Sequence, residues 1–238
     1  MKTIASIASA FAALAASAQA APFIIDFEGA PEGTQLIAPN GALLPNVLDV
    51  TVSNANGPDA LIIFDTTEPS NMSEDPDLVD NQNGVFTGFD DPNTPGIEQQ
   101  TFGNIAVIAD QAPFDKADDE GRGGSVVFTL EKVSTLFSLD LLDSKAGTVR
   151  FFDINGVEIA GSMVTLPNVD TTDANFPNLA ATVLFNGVSG VAGVKSFEIV
   201  LQESGGFDNI VGTAVPIPGA LPLMLAGLAA FAALRRRR

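Results

Sequence analysis

The chain has 238 residues and no cysteine, and its 29 acidic residues against 11 basic ones give a formal charge of −18. This charge excludes a nucleic-acid-binding surface and favours basic partners or divalent cations. Because 46% of the residues are hydrophobic, the chain can nevertheless bury a core, so the acidity does not indicate disorder.

The first 20 residues have the pattern of a secretory signal peptide. Lys2 supplies a positive start, residues 4–16 form a small apolar run, and Ala18 and Ala20 flank Gln19 in an A-x-A cleavage pattern. We expect signal peptidase to cut before Ala21. A short buried helix is the alternative interpretation.

Residues 215–238 are expected to form a second targeting segment, at the other end of the chain. Prolines two apart exclude an ordinary helix in the motif Val215, Pro216, Ile217, Pro218 and Gly219. Residues 220–234 are apolar and can form a membrane helix, and the stop-transfer cluster is Arg235, Arg236, Arg237 and Arg238. The basic residues at the two ends leave 29 acidic against six basic residues between them.

The motif, the apolar span and the arginine cluster together resemble the PEP-CTERM class of bacterial sorting signals, in its Val-Pro-Leu-Pro-Ala variant. Ile217 and Gly219 depart from that variant. The resemblance implies transient anchoring in the cytoplasmic membrane, cleavage near the motif by an exosortase-type protease, and delivery to the cell surface or extracellular matrix. A permanent membrane anchor is the alternative.

Between the two ends, residues 21–214 are expected to form one all-β domain. Phe137, Leu139 and Leu141 alternate with polar residues, which is the period of a half-buried strand. Asn155-Gly156 predicts a hairpin with a type I′ turn. Short strands with Gly, Pro and Asn between them predict an antiparallel, jelly-roll-like β-sandwich. The expected strands are 23–28, 47–53, 60–64, 105–109, 125–130, 133–142, 148–154, 181–185, 195–201 and 207–211.

The region 65–120 interrupts this pattern with 14 acidic residues and a single basic one, Lys116. Crowded carboxylates either point separately into water or are drawn together by a cation. Oxygen ligands, with no His or Cys, favour Ca²⁺ over zinc or copper.

Two calcium sites are possible. The segments Asp26-Phe27-Glu28 and Phe207-Asp208-Asn209 resemble the structural calcium site of jelly-roll carbohydrate-binding modules, which implies Glu28 and Asp208 as ligands joining the two ends of the domain. Solvated strand-end carboxylates are an equally open interpretation. A second, loop-held site would use Asp65, Asp75, Asp77, Asp118, Asp119 and Asp143.

The order of segments from Asp26 to Val211 is also similar to a group of exported bacterial β-sandwich domains of unknown function. It includes Gly103-Asn104-Ile105-Ala106-Val107, Gly123-Gly124-Ser125-Val126-Val127-Phe128 and Leu139-Asp140-Leu141-Leu142-Asp143. This resemblance implies no activity.

Without His or Cys, the chain lacks Ser-His-Asp and Cys-His catalytic systems and His-ligated zinc. We therefore expect a non-catalytic adhesion or matrix protein, with extracellular polysaccharide as a possible partner. The alternatives are a carbohydrate-binding module, with loop phenylalanines (Phe86, Phe89, Phe102 and Phe114) as a platform or as core plugs, and a carboxylate-pair glycoside hydrolase.

Overall fold

The structure is a computed structural model that describes residues 20–36, 44–54, 57–67, 78, 86–88, 99–100, 102–109, 121–169 and 179–215. For 86–88, 99–100 and 179 only the backbone is described. Most of the predicted signal peptide and the sorting motif beyond Val215, with its apolar span and arginines, lie outside these residues. Within the described ranges, no helix is long and apolar enough to cross a membrane.

The domain between Pro22 and Ala214 is all-β, as the sequence predicts. Among the residues that the structure describes, one 3-10 turn, Gly187–Ser189, lies between two strands. The strands in chain order are β1 (Ala21–Ile25), β2 (Val47–Ser53), β3 (Leu61–Asp65), β4 (Phe86–Gly88), β5 (Gln99–Gln100), β6 (Asn104–Ile108), β7 (Gly124–Leu142), β8 (Gly147–Phe152), β9 (Val164–Leu166), β10 (Leu179–Leu184), β11 (Val191–Leu201) and β12 (Gly206–Ala214). The predicted strands missed β4, β5 and β9.

These strands form one 12-stranded sheet that folds into two layers. The first part of β7 pairs with β2 and β11, and β11 also pairs past the corner with Ser134 and Leu136. On its other side β11 pairs with β8, which pairs with β9. The last part of β7 pairs with β10 and β12, and β12 continues to β6 and β3 and also pairs with β1. The strand pairs whose register is described are antiparallel, except that β4 lies parallel to β10. Because both layers share β7, the sandwich is a single folded sheet.

The prediction of two strands, 125–130 and 133–142, was wrong: the chain continues through Glu131 and Lys132 as one strand of 19 residues. At this corner the β7–β11 register shifts between Val194 and Ser196. Lys195 donates from Nζ to the backbone oxygens of Leu130, at 2.5 Å, and Glu131, at 3.0 Å. A charged donor thus satisfies carbonyl groups that the bend removes from regular pairing.

The main core lies between the two layers and is centred on buried phenylalanines. Phe128 of the first layer stacks on Phe197 beside it at 5.0 Å and contacts Phe207 of the second layer edge-on at 6.0 Å. Phe151 and Phe185 make a second edge-on contact at 5.0 Å. Such pairs add about 0.5–1.5 kcal/mol each to the hydrophobic free energy of burial.

A second apolar cluster lies on the outer face of β3 and β6. Ile62, Phe64, Ile105 and Val107 point away from the main core and are buried. Leu78 and Phe102 of the acidic region pack into this cluster. Both faces of β3 and β6 are therefore buried, which explains why these strands read as continuous apolar runs.

The hairpin between β8 and Glu158 is confirmed, but its turn is not type I′. The backbone oxygen of Asp153 accepts a hydrogen bond from the Gly156 N–H. The Asp153 N–H donates a hydrogen bond to the backbone oxygen of Val157. A type I′ turn needs positive φ at both central residues, and only Gly156 has it, at 75°. Asp153 Oδ1 accepts from the N–H groups of Asn155 and Val157, which stabilises this alternative turn and lowers the pKa of Asp153.

Replacing Lys195 by methionine keeps most of the side-chain volume and removes both hydrogen bonds at the corner. We expect Lys195→Met to lower the free energy of unfolding by about 1–3 kcal/mol, because two carbonyl groups lose a charged donor. Urea unfolding measures this. Lys132→Met, an exposed neighbour with the same change of charge, is the matched control; equal losses in the two variants would contradict the role of Lys195.

Candidate cation site

Asp208, in β12, carries a buried carboxylate group. It is 2% exposed, and its Oδ1 has no hydrogen-bond partner among the described residues. A buried carboxylate without a full set of partners is strongly destabilising when ionised. This side chain therefore needs a proton, a cation or another ligand.

A β-bulge in β12 orients the Asp208 side chain. The β12–β7 register places Asp208 opposite Asp140 but Val211 opposite Ser138, so β12 contains one extra residue there. Asn209, in the bulge, has a left-handed φ of 50°. The bulge lets Phe207 and Ile210, three residues apart, both enter the main core, while Asp208 faces the outer side of the sheet.

The neighbours of Asp208 in the sheet are apolar on one side and polar on the other. In the β12–β6 register Phe207 lies opposite Ala106, so the adjacent β6 residue is Ile105, which belongs to the outer apolar cluster. On the other side lies Asp140, whose Oδ1 accepts from Thr182 at 2.6 Å and whose Oδ2 accepts from Asn209 Nδ2 at 3.0 Å. Asp208 thus lies between an apolar patch and a second carboxylate.

Burial raises the pKa of Asp208 from 3.8 to about 7. The hydrogen bond from the Asn209 backbone lowers it, and the negative charges of Asp140, Glu28 and Asp26 raise it further. Four carboxylates from three parts of the chain are therefore close enough to repel one another electrostatically.

Glu28 is held at the edge of this group by its own contacts. Its Oε1 accepts from the Asn104 N–H at 3.0 Å, and Asn104 Nδ2 donates to the backbone oxygen of Ala30 at 2.8 Å. Gly103 makes room for it, because a Cβ at that position would lie 2.3 Å from Glu28 Oε1. These contacts fix the segment after β1 against the start of β6.

The structure therefore brings Glu28 and Asp208, the two residues of the first predicted site, into one electrostatic cluster. As positioned, no three carboxylates of the described residues form a group able to hold a metal ion. Binding a cation would require at least one side chain, such as the exposed Glu28, to turn toward Asp208. Calcium coordination by these residues stays a prediction. Calcium would suit this position because Asp208 Oδ1 has no hydrogen-bond partner and the surrounding carboxylates offer hard oxygen ligands.

The second predicted site is described only in part. Asp75, Asp77, Asp118 and Asp119 lie outside the described residues. Asp65 lies at the end of β3, where its Oδ1 accepts from the backbone and side chain of Thr67 at 2.9 and 2.7 Å. Asp143 is buried at the end of β7 with φ 46°, beside Ser144, whose buried Oγ has no hydrogen-bond partner in the described part of the chain.

Two other sequence hypotheses can be placed on the structure. Phe102 is 4% exposed and belongs to the outer apolar cluster, so it is a core plug and not a sugar-binding platform. Phe89 and Phe114 lie outside the described residues, as does the side chain of Phe86. On the outer face of β8 and β11, Arg150 binds Glu158 at 2.8 Å and Glu198 at 3.1 Å and lies 5.5 Å from the centre of the Phe152 ring.

No family model matches the chain, and no curated protein matches it. Three solved structures are weakly similar. The chain covers 67% of the F5/8 type C domain of a Bacteroides fragilis protein, over 40% of its own length, with 12% identity and a TM-score of 0.28. The N-terminal domain of the single-strand break repair protein XRCC1 is covered to 78%, over 42% of this chain, with 19% identity and a TM-score of 0.28. The enzymatically active domain of bacteriophage CBA120 tailspike protein 4 is covered to 20%, over 72% of this chain, with 12% identity and a TM-score of 0.32. Likenesses this weak carry no argument about function.

The raised pKa of Asp208 gives a pH dependence with a definite sign. The folded protein binds this proton more tightly than the unfolded chain, so in chelator the free energy of unfolding falls as pH rises from about 4 to about 7. The full difference is up to about 4 kcal/mol. We expect Asp208→Asn to remove this decline and to be more stable than the wild type at about pH 8.

Urea unfolding across this pH range measures the effect. Glu131→Gln, a change at an exposed carboxylate, is the control and should keep the wild-type decline. If the free energy of unfolding of Asp208→Asn falls with pH as it does in the wild type, Asp208 is not the group responsible for the pH dependence.

Proposed function

We propose that this chain is an exported, non-catalytic protein of the cell surface or extracellular matrix, built on a jelly-roll-like β-sandwich that calcium stabilises. The observation that carries the calcium assignment is the buried, uncompensated Oδ1 of Asp208 beside Asp140, Glu28 and Asp26. A divalent cation would replace the missing hydrogen bond and offset the repulsion between the carboxylates.

A structural or adhesive role is supported by what the chain contains. It has no His and no Cys, which removes the usual nucleophile and zinc chemistries. Glu158 and Glu198, which share Arg150, lie on an outer sheet face as a partly exposed ion network. Asp208 lies between packed strands, and its uncompensated Oδ1 is shielded from solvent. We therefore assign the buried carboxylate to cation binding and not to catalysis.

The destination is proposed from the two ends of the chain. The leader ending at Ala20 would be removed by signal peptidase, and the motif beginning at Val215 would be read by an exosortase-type protease. Between these events the apolar span would hold the protein in the cytoplasmic membrane. Extracellular polysaccharide is the binding partner that we propose at this destination.

Calcium titration tests the cation proposal directly. At about 5 mM calcium, with the affinity typical of extracellular modules, we expect the free energy of unfolding to rise by about 1–3 kcal/mol and the melting temperature by several degrees. Asp208→Asn and Glu28→Gln should lose most of this gain. Glu158→Gln removes the same charge on the opposite layer and should keep it. No wild-type shift at millimolar calcium would refute calcium stabilisation.

The sorting proposal is tested by mass spectrometry of the mature surface protein from the native host. We expect peptides that begin at Ala21 and a C-terminus near Val215, with the peptide ending at Arg238 absent from the surface fraction and present in the membrane fraction. Replacing Pro216 and Pro218 by alanine should leave the full tail on the membrane-bound protein. An intact Arg238 end on the surface protein would mean a permanent anchor.

A further inference from the structure

Strands of both layers end where β7 crosses from one layer to the other. Here β2 begins opposite Leu130, β8 ends level with Thr129 through its pairing with β11, and β12 ends opposite Ser134. β11 begins opposite Leu136, directly after the 3-10 turn. We call this part of the domain, around residues 129–136 of β7, the corner end. The turns at these strand ends therefore lie at the same end of the domain.

The corner end carries most of the exposed apolar side chains of the described residues. They are Leu48 at the start of β2, Ile154 and Val157 in the hairpin after β8, Val188 in the 3-10 turn, and Val215 directly after β12. These are five of the eight large apolar residues that are exposed in the described part of the chain, and Val188 is the most exposed of all, at 87%. Single exposed apolar residues are ordinary, but their concentration at one end of a domain is typical of a surface that contacts a partner or a membrane.

The turns hold these side chains outward by fixed geometry. In the turn that carries Val188, the pair Asn186-Gly187 has φ values of 52° and 59°. A Cβ at Gly190, which ends this turn with a φ of 70°, would lie 2.6 Å from the backbone oxygen of Leu136, so glycine lets the turn close against β7. The hairpin after β8 is held by two hydrogen bonds from its backbone to Asp153. These turns therefore keep apolar side chains in water, which is unfavourable unless a partner covers them.

Charge at the corner end is far more balanced than in the domain as a whole. The charged residues described at this end, with the ion pair beside it, are four acidic and three basic: Asp49, Glu131, Asp153, Glu158, Lys132, Lys195 and Arg150. Between the two targeting segments the chain has 29 acidic against six basic residues. An anionic lipid surface would therefore be repelled by most of the domain but not by the corner end.

The uncharged tail follows the corner end without a spacer. β12 ends at Ala214, and residues 215–234 contain no charged side chain. As a helix, the span 220–234 would be about 22 Å long, which is shorter than the hydrocarbon core of a bilayer, at about 30 Å. The motif residues before it must then enter the membrane as well, or the bilayer must thin around the span. Even a fully extended motif reaches only about 18 Å, so the tail holds the corner end close to the lipid headgroups.

We propose that the corner end is a membrane-contacting surface, and that Leu48, Ile154, Val157 and Val188 insert into the headgroup region while the apolar span is in the bilayer. The proposal rests on the proposed anchoring of 220–234 and adds the orientation of the domain on the membrane. Because the short tail keeps the local lipid concentration high, insertion of a few side chains is enough to hold this orientation. Cleavage at the motif would remove the tail, and the remaining contact would be weak enough to release the domain.

Fluorescent labels at single cysteines test this orientation, since the chain has no cysteine of its own. Val188→Cys and Ile154→Cys, labelled with the environment-sensitive dye NBD, probe the corner end, and Gln202→Cys probes an exposed position at the opposite end. The full chain is reconstituted into vesicles of phosphatidylethanolamine and phosphatidylglycerol, with or without a lipid that is spin-labelled near its headgroup. Because inserted apolar groups lie about 5–10 Å deep, we expect blue-shifted emission and about twofold quenching at positions 188 and 154, and neither at 202.

An added charge separates insertion into lipid from simple tethering. With the label at position 188, Ile154→Asp should lose most of the quenching, because a carboxylate does not enter the apolar part of the interface. Gln202→Asp adds the same charge at the opposite end and is the matched control, which should keep the quenching of the parent protein. Equal quenching in these two variants would overturn the contact.

The remaining outcomes distinguish this contact from the proposed function. If the full chain does not float with the vesicles, both the proposed membrane anchoring and the contact are refuted. If it floats with them but the labels at 188 and 154 are not quenched, or the label at 202 is quenched equally, only the contact is refuted. A blue shift without quenching by the spin-labelled lipid would also refute it, and would mean that a second copy of the chain covers the corner end.

Discussion

The whole architecture depends on one strand, β7, being shared by two layers. Its first part pairs with β2, its last part pairs with β10 and β12, and β11 pairs with it on both sides of the corner. Every other strand attaches through these four. The strand can turn the corner because Lys195 binds the carbonyl groups of Leu130 and Glu131. Since a continuous backbone fixes the position of one layer on the other, the phenylalanines between them pack in a single register.

The sequence predicts most of the strands because period-two alternation depends only on neighbouring residues. The continuity of β7 could not be predicted in this way: Glu131-Lys132 is an exposed charged pair that locally resembles a turn, and the lysine that supports it is more than 60 residues away. The same limit applies to the hairpin turn. Asn155-Gly156 indicates its place, but the side chain of Asp153 selects its geometry.

The candidate site was also only partly predictable. That Glu28 and Asp208 would lie near each other was implied by the resemblance of their two segments to the calcium site of jelly-roll carbohydrate-binding modules. That Asp208 is buried could not be foreseen, because it depends on the Asn209 bulge and on the Ile105 side chain beside it. Asp140 was not proposed as part of the site, since its place opposite Asp208 is set by a cross-strand register. A register cannot be derived from either strand alone.

Asp208 is hard to explain as a contribution to stability alone. Asp208 lies between Ile105 and Asp140. A neutral side chain there would pack against Ile105 without a desolvation cost and would avoid repulsion from three carboxylates. Replacing a buried charge by a neutral group of similar shape is often neutral or stabilising. Its place on a bulge that interrupts a central strand, with no partner for its Oδ1, supports the cation ligand that we propose. A cation held between these carboxylates would offset their repulsion and replace the hydrogen bond that Oδ1 of Asp208 lacks.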